Sequence, residues 1–363
     1  MSARFDTFLR IAADQKASDV HFHAGKHPVI RYLGDMVRLP YRRLERHDAQ
    51  AFMDEVLTPA QKAQLEREQQ VDFVYEVPGL ARFRANVYLQ IDGLGAVFRV
   101  IPDRVPSADE IRAPHSVQQL MTQSNGLVLV TGPTGSGKST TVAALVDRVN
   151  RTQARHVVTV EDPIEYVHTP VRSVLSQREI GRDAPRFADA LRSALREAPD
   201  VLVVGEVRDH ETVQMLLSAA EAGVLVLATL HTGSAAKAID RIVGACPGDE
   251  QDQVRLTLSV VLRGVVSQRL CKLASGAGRI AAMEVLLPSH AVAHIVRENK
   301  LHQIDSYLRS GDGGGSRSLE HSLAEHVLSG LVTEREATLH ANDAAMLGEL
   351  IAKGARAAQD GMR

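Results

Sequence analysis

Between Asp19 and about Pro102, short β-like pieces alternate with turns: VHFH, VIRYLGD, VDFVYEVPG, ARFRANVYLQIDG and AVFRVIP. A helical stretch interrupts them. From about His47 to Gln69 the apolar positions Ala51, Phe52, Val56, Leu57 and Leu65 predict one or two amphipathic helices, broken near Pro59. The pattern therefore reads as a small α+β domain over residues 1–101. The segment from Pro102 to Pro114 carries three prolines and several charges, which disfavour helix and ladder pairing alike, and reads as a linker over residues 102–115.

Beyond the linker the pattern changes. Apolar strands LVLVT, HVVTVED, VLVVGE and VLVLATLH are separated by helices such as STTVAALVDRVNR and ETVQMLLSAAEAG. Continuous apolar strands joined by helical crossovers indicate a parallel sheet covered on both faces, so residues 116–285 read as a doubly wound α/β core. After about Val285 the remainder, residues 286–363, reads as helices, including HAVAHIVRE and SLEHSLAEHVLSG, divided by the flexible RSGDGGGSRS. No internal repeat is visible.

Composition narrows the classes. Of 363 residues, 44% are hydrophobic and 24% charged, the proportions of a globular protein rather than a disordered one. The net charge of -2 supplies no global attraction for nucleic acid, and with no Trp and few Phe or Tyr there is little to stack on bases, which argues against a DNA translocase. The 2 cysteines form no CxxC pair, which removes a zinc ribbon and fits a reducing compartment. The first ten residues hold no apolar signal core, and no apolar run approaches the roughly 18 residues of a membrane span, so the expected location is the cytoplasm without membrane insertion.

The chemistry concentrates in the second region. Directly after LVLV comes GPTGSGKS, Gly132 to Ser139, and then the helical TTVAALVDRV, so a phosphate-loop pattern sits in a strand-loop-helix context. Its glycines let backbone N–H groups converge on phosphates at a helix N-terminus, Lys138 adds positive charge and the Ser139 hydroxyl suits Mg²⁺. Gly132, Pro133, Thr134, Gly135, Ser136, Gly137, Lys138, Ser139 and Thr140 are the candidate nucleotide-binding residues. The strand VLVV ends at Gly205 and Glu206, where a carboxylate suits Mg²⁺ or its water shell; Ser139 and Glu206 are the candidate metal ligands. The strand VTVE releases Glu161, Asp162 and Glu165 into a turn, where carboxylates beside a γ-phosphate suit the ordering of an attacking water. The strand VLVLATLH delivers Thr229, His231 and Thr232 to the same edge, with His231 as a γ-phosphate sensor. His21 and His23 would share one strand face, but no third metal ligand is fixed by spacing.

The combination of GPTGSGKST, EDPIEYVH, ALRSALREAPDVLVVGEVRD and TLHTGSAAKAIDRI with ASDVH, RFRAN and GAVFRVIP resembles the secretion and pilus motor ATPases, most closely the PilT-type retraction ATPases of type IV pili. The resemblance implies a PAS-like N-terminal domain, a RecA-like ATPase domain, C-terminal helices and a homo-hexameric ring with nucleotide between domains. It implies ATP and Mg²⁺ as cofactors, Glu165 as catalytic glutamate, Glu206 in the magnesium-side motif, and Arg82, Arg84 and Arg99 as arginines that reach the phosphates. It also implies an inner-membrane platform protein of the pilus and a paralogous motor ATPase as partners, and a peripheral place at the inner membrane through the pilus base. Lys138, Glu165, Glu206 and His231 are the catalytic candidates. Two departures stand out. Val224 follows Gly223 where relatives carry His, which suggests a weakly hydrolysing regulatory paralogue as one alternative. AVAHIVRE, Ala291 to Glu298, replaces the retraction signature AIRNLIRE, which leaves pilus extension or secretion as another.

Overall fold

The computed structural model describes residues 5–101, 104–310 and 314–360. Pro102 and Asp103 at the start of the expected linker, residues 311–313 of the Gly-rich stretch and both extreme termini lie outside the described residues. The chain divides into two compact units, Met1–Arg104 and Val105–Arg363.

The first unit runs α1 (Asp6–Asp14), β1 (Asp19–His23), β2 (Val29–Tyr32), β3 (Asp35–Arg38), α2 (Arg46–Val56), α3 (Pro59–Glu68), β4 (Gln70–Val77), β5 (Ala81–Gln90) and β6 (Gly93–Ile101). The break between α2 and α3 is built as a capping box. Thr58 accepts from the Gln61 amide, and Pro59 occupies the first helical turn, where its missing N–H costs nothing. The strands form one antiparallel sheet in the order β3-β2-β1-β6-β5-β4. β5 alternates strictly: Ala81, Phe83, Ala85 and Val87 are buried, while Arg82 and Arg84 project from the other face. The buried face closes over a phenylalanine cluster in which Phe5 lies 4.6 Å from Phe22 and 4.7 Å from Phe98, centroid to centroid.

The second unit opens on a packed segment rather than a free linker. Ala108 and Ala113 are buried, and the Gln118 amide donates to Asp109 at 2.9 Å and to the Ala113 carbonyl at 3.0 Å. Then follow α4 (His115–Gln119), β7 (Gly126–Thr131), α5 (Lys138–Thr152), β8 (His156–Glu161), β9 (Val174–Glu179), α6 (Phe187–Ala194), β10 (Val201–Val204), α7 (His210–Glu221) and β11 (Leu225–Leu230). α8 (Ala235–Gly244), α9 (Gln251–Val261), β12 (Leu262–Lys272), β13 (Arg279–Leu286) and five helices, α10 (His290–Arg297), α11 (Gln303–Ser310), α12 (Leu319–Leu328), α13 (Glu334–His340) and α14 (Ala344–Asp360), complete it.

The sheet order is β13-β12-β7-β11-β10-β8-β9. All neighbours are parallel except the β12–β13 hairpin, and β7 lies between β12 and the central strand β11. Every residue of β7, β10 and β11 is buried, as strands covered on both faces require. The hairpin was not legible as strand, because its eleven-residue first arm follows directly on helix α9 with no turn residues between.

On β13 Glu284 is buried and accepts the Ala235 amide, the first N–H of α8, at 2.7 Å. Burial pushes its carboxyl up to about 7, against the help of that amide; the charges of Asp305 and Glu320 add to the rise and Arg269 opposes it. A carboxyl raised in the folded state contributes stability that is full below its ordinary value and is lost as pH climbs through about 7. Glu284→Gln keeps an acceptor for Ala235 and carries no charge. Chemical denaturation is expected to find this variant close to the parent at pH 5 and increasingly more stable than the parent toward pH 8.

Candidate active site

The site begins where β7 ends. The loop from Gly132 to Gly137 carries left-handed backbone at Gly135 (φ 76°) and Gly137 (φ 88°), with Gly132 at φ 150°. A Cβ on Gly132 would lie 2.5 Å from both the Gln268 carbonyl and the Ser136 hydroxyl, so no side chain fits there. Pro133, Thr134 and Gly135 are exposed, and the loop feeds the 15-residue α5, whose N-terminal N–H groups and dipole favour an anion.

Lys138, the first residue of α5, is buried. Its ammonium donates to the Gly132 carbonyl at 2.9 Å, to the Pro133 carbonyl at 3.1 Å and to His231 Nδ1 at 3.4 Å. Burial holds its pKa below the ordinary lysine value, with the carboxylates of Glu206 and Glu165 working in the opposite direction. An ammonium can only donate, so Nδ1 of His231 is the acceptor and the ring proton sits on Nε2. Nε2 faces Glu206 Oε1 at 3.4 Å. Lys138, His231 and Glu206 thus form one polar chain across the ends of β7, β11 and β10. Glu206 also accepts from Arg208 at 2.7 Å. Burial pushes the Glu206 carboxyl up, but Arg208, His231 and Lys138 outweigh it and leave it below its ordinary value. The strand end is held by Thr229, whose hydroxyl donates to the Gly205 carbonyl.

The acidic turn after β8 is fastened from three sides. Glu161 accepts from the Thr159 hydroxyl at 2.7 Å, and burial raises its carboxyl to about 7. The Ile164 amide donates to the buried Glu179 of β9 at 3.1 Å, and the Gln177 amide donates to the Tyr166 carbonyl at 2.8 Å. Tyr166 and Thr140 share a hydroxyl hydrogen bond of 2.9 Å, which ties the turn to the first turn of α5. Between Ile164 and Tyr166, Glu165 is half-buried and acts electrostatically on Lys138. Further on, Asn150 of α5 is buried, donates to the Thr169 carbonyl at 2.8 Å and accepts from the Val171 amide at 2.9 Å.

The structure therefore brings Lys138, Glu206, His231 and Glu165 to one edge of the sheet, with Ser139 and Thr140 in the adjoining helical turn. Arg82, Arg84 and Arg99 belong to the first unit. There Arg84 and Arg99 are cross-strand partners, and Arg99 pairs in turn with Asp19. Asp19 is buried and holds Arg99 Nε at 2.8 Å and Arg31 Nε at 3.5 Å. Burial raises the Asp19 carboxyl, but Arg99 and Ser18 outweigh it and hold it below its ordinary value. Three arginines in one cross-strand row against one carboxylate leave this stretch of the sheet positively charged.

Three contributors were not singled out from sequence. Tyr166 and Asn150 act through hydroxyl and amide bonds to turns distant in sequence, and Gln268 of β12 donates to the Ser136 carbonyl at 2.6 Å. Tyr166 lies inside EDPIEYVH, so that motif carried its signal; Gln268 sat in the unassigned hairpin.

The donor set suits a nucleotide with Mg²⁺. Ser139 and Glu206 offer hard oxygen ligands, and among the described residues no cluster of three His, Cys, Asp or Glu side chains forms an all-protein metal cage. Mg²⁺ characteristically uses one or two protein oxygens and completes its shell with phosphate and water.

The family described as "Type II/IV secretion system protein" matches residues 3–341. The chain belongs to this family. Within it, the chain is 44% identical over 329 residues to the "Type IV pilus retractation ATPase PilT" of Pseudomonas aeruginosa, covering 91% of this chain and 95% of the relative. A "Twitching motility protein" of Neisseria gonorrhoeae is 44% identical over 316 residues, with 87% and 84% covered. The solved structure titled "Crystal Structure of the Pilus Retraction Motor PilT and Bound ADP" superposes with a TM-score of 0.82 at 42% identity, covering 94% of this chain and 98% of that one.

One departure from the family pattern changes meaning in three dimensions. Val224 precedes β11, and its carbonyl accepts the Gly126 amide at 3.1 Å, at the start of β7. His231 and the phosphate loop stand at the far end of those strands, roughly 20 Å away at the usual strand rise. Val224 packs against the core of the sheet, at the end of the strands away from the loop.

Asn150 offers a direct check on how the acidic turn is held. Asn150→Ala strands the Thr169 carbonyl and the Val171 amide, at a cost of about 1–3 kcal/mol. Hydrogen exchange is expected to accelerate over residues 162–172 while the strands of the sheet keep their protection.

Proposed function

We propose that the chain is a Mg²⁺-dependent ATPase whose hydrolysis drives type IV pilus retraction. The observation that carries this reading is the convergence of Lys138, His231, Glu206 and Glu165 beside a glycine loop at one edge of a parallel sheet. The relatives named for pilus retraction and twitching motility, matched over most of both chains, support retraction as the work performed.

In this reading the loop N–H groups and Lys138 bind the β- and γ-phosphates. Ser139 and Glu206 hold Mg²⁺, which when bound neutralises phosphate charge. Glu165 orients the attacking water and accepts its proton, held in place by Tyr166 and the Ile164 amide. Cleavage breaks the bond between the β,γ-bridging oxygen and the γ-phosphorus, and the new bond forms from water oxygen to that phosphorus. His231 touches both Lys138 and Glu206, so it registers whether the charge between them is neutralised.

We further propose a homo-hexameric ring that works against an inner-membrane platform protein from the cytoplasmic side, alongside a paralogous motor. Among the described residues no helix is long and apolar enough to cross a membrane.

Phosphate release from Mg-ATP, measured per subunit against protein concentration with light scattering on the same samples, tests the reading. Specific activity is expected to rise as rings form, and Lys138→Ala is expected to lose at least about a hundredfold in turnover at every concentration. Rings that release no phosphate, or a Lys138→Ala variant as active as the parent, would refute it.

A further inference from the structure

Gln268 stands out on β12 as a large polar side chain that is almost wholly buried. Val265 and Val266 before it are fully buried, and Gln268 itself is only 1% exposed. Its Nε2 donates to the Ser136 carbonyl at 2.6 Å, and its Oε1 has no partner among the described residues. An unpartnered buried acceptor costs about 1–3 kcal/mol, a cost that a residue present only for packing would not carry.

The register explains why this side chain reaches the loop. β12 runs parallel to β7 with Ser267 opposite Thr131, so Gln268 falls alongside Gly132. Its backbone carbonyl lies 2.5 Å from where a Gly132 Cβ would stand, and its Nε2 lies 3.2 Å from the corresponding point on Gly137. Gln268 therefore closes the side of the glycine loop that faces β12.

From this contact we infer that Gln268 is the positioning residue of the phosphate loop, acting through the Ser136–Gly137 peptide. In a trans peptide the C=O and the following N–H point in opposite directions. Drawing the Ser136 carbonyl toward β12 turns the Gly137 N–H away from it, into the concave side of the loop. Gly137 is the N-cap of α5 with φ 88°, so its N–H belongs to the set that the helix presents to an anion. Without the amide of Gln268 this peptide is free to rotate, and a carbonyl oxygen then faces the phosphate in place of a donor. The inference rests on the nucleotide site proposed above and adds the residue that sets its donor geometry.

The consequence is specific. Of the two phosphates that the loop binds, the Gly137 N–H is assigned to the β-phosphate, which ADP and ATP share, so loss of the amide weakens both ligands alike and raises KM more than it lowers kcat. Gln268→Met removes the donor at similar volume, and Gln268→Asn withdraws it by one methylene if the Met variant does not fold. Equilibrium titration of the full chain with ADP and with a non-hydrolysable ATP analogue is expected to show about tenfold weaker binding of both, with nucleotide-free melting near the parent's. Parent affinity for both ligands in a folded variant overturns the inference, as does a fall in kcat with KM unchanged. Lys138→Ala in the same titration separates the two failures: if it too binds like the parent, the site itself is misplaced and the inference falls with it.

Discussion

The structure of the second unit turns on one buried positive charge. The ammonium of Lys138 cannot be left in a half-dry strand edge without compensation, and it receives that compensation from the loop carbonyls of Gly132 and Pro133 and from the field of Glu206 and Glu165. Each partner arrives from a different place in the chain, and only a parallel sheet delivers them together. β7 brings the loop, β10 brings Glu206, β11 brings His231 and β8 brings the acidic turn, all at their C-terminal ends. The order of the strands is thus part of the chemistry.

Holding those ends in register falls to residues that touch no phosphate. Thr229 joins the ends of β11 and β10, Tyr166 joins the acidic turn to α5, Asn150 holds the return of that turn, and Gln268 closes the loop from the other side. Their bonds share a logic: a buried polar side chain is spent on orienting a backbone segment, so the charged groups meet their targets without searching for them. In the first unit Asp19 does the same for Arg99, and the cross-strand register then places Arg84 beside it.

How much of this the sequence disclosed follows the range of each signal. The phosphate loop was legible because strand, glycines, lysine and helix are contiguous from Leu127 onward, and the four central parallel strands were legible because burial on both faces leaves unbroken apolar runs. Glu206 and His231 were found by the same rule, as polar residues at the ends of such runs. The hairpin of β12 and β13 escaped it, since Ser267, Gln268, Arg269 and Glu284 break its apolar pattern, and each of the last three makes a tertiary bond rather than facing solvent. Residues 105–114 looked like a linker from their prolines, yet Gln118 fastens them to the second unit through a bond that no local pattern announces. The sequence marks Val224 only as a departure from a motif, and strand direction puts it at the end of the sheet away from the loop.

The central claim is that Glu165 serves the hydrolytic step while the loop and Lys138 serve binding. A single-turnover measurement on Glu165→Gln, with nucleotide binding and phosphate release followed on the same sample, tests it most directly. The expected result is ATP bound with near-parent affinity and phosphate release slowed by about a thousandfold or more. Phosphate release at the parent rate would contradict the claim and move the search for the group that takes the proton from water to Glu161 and Asp162 of the same turn.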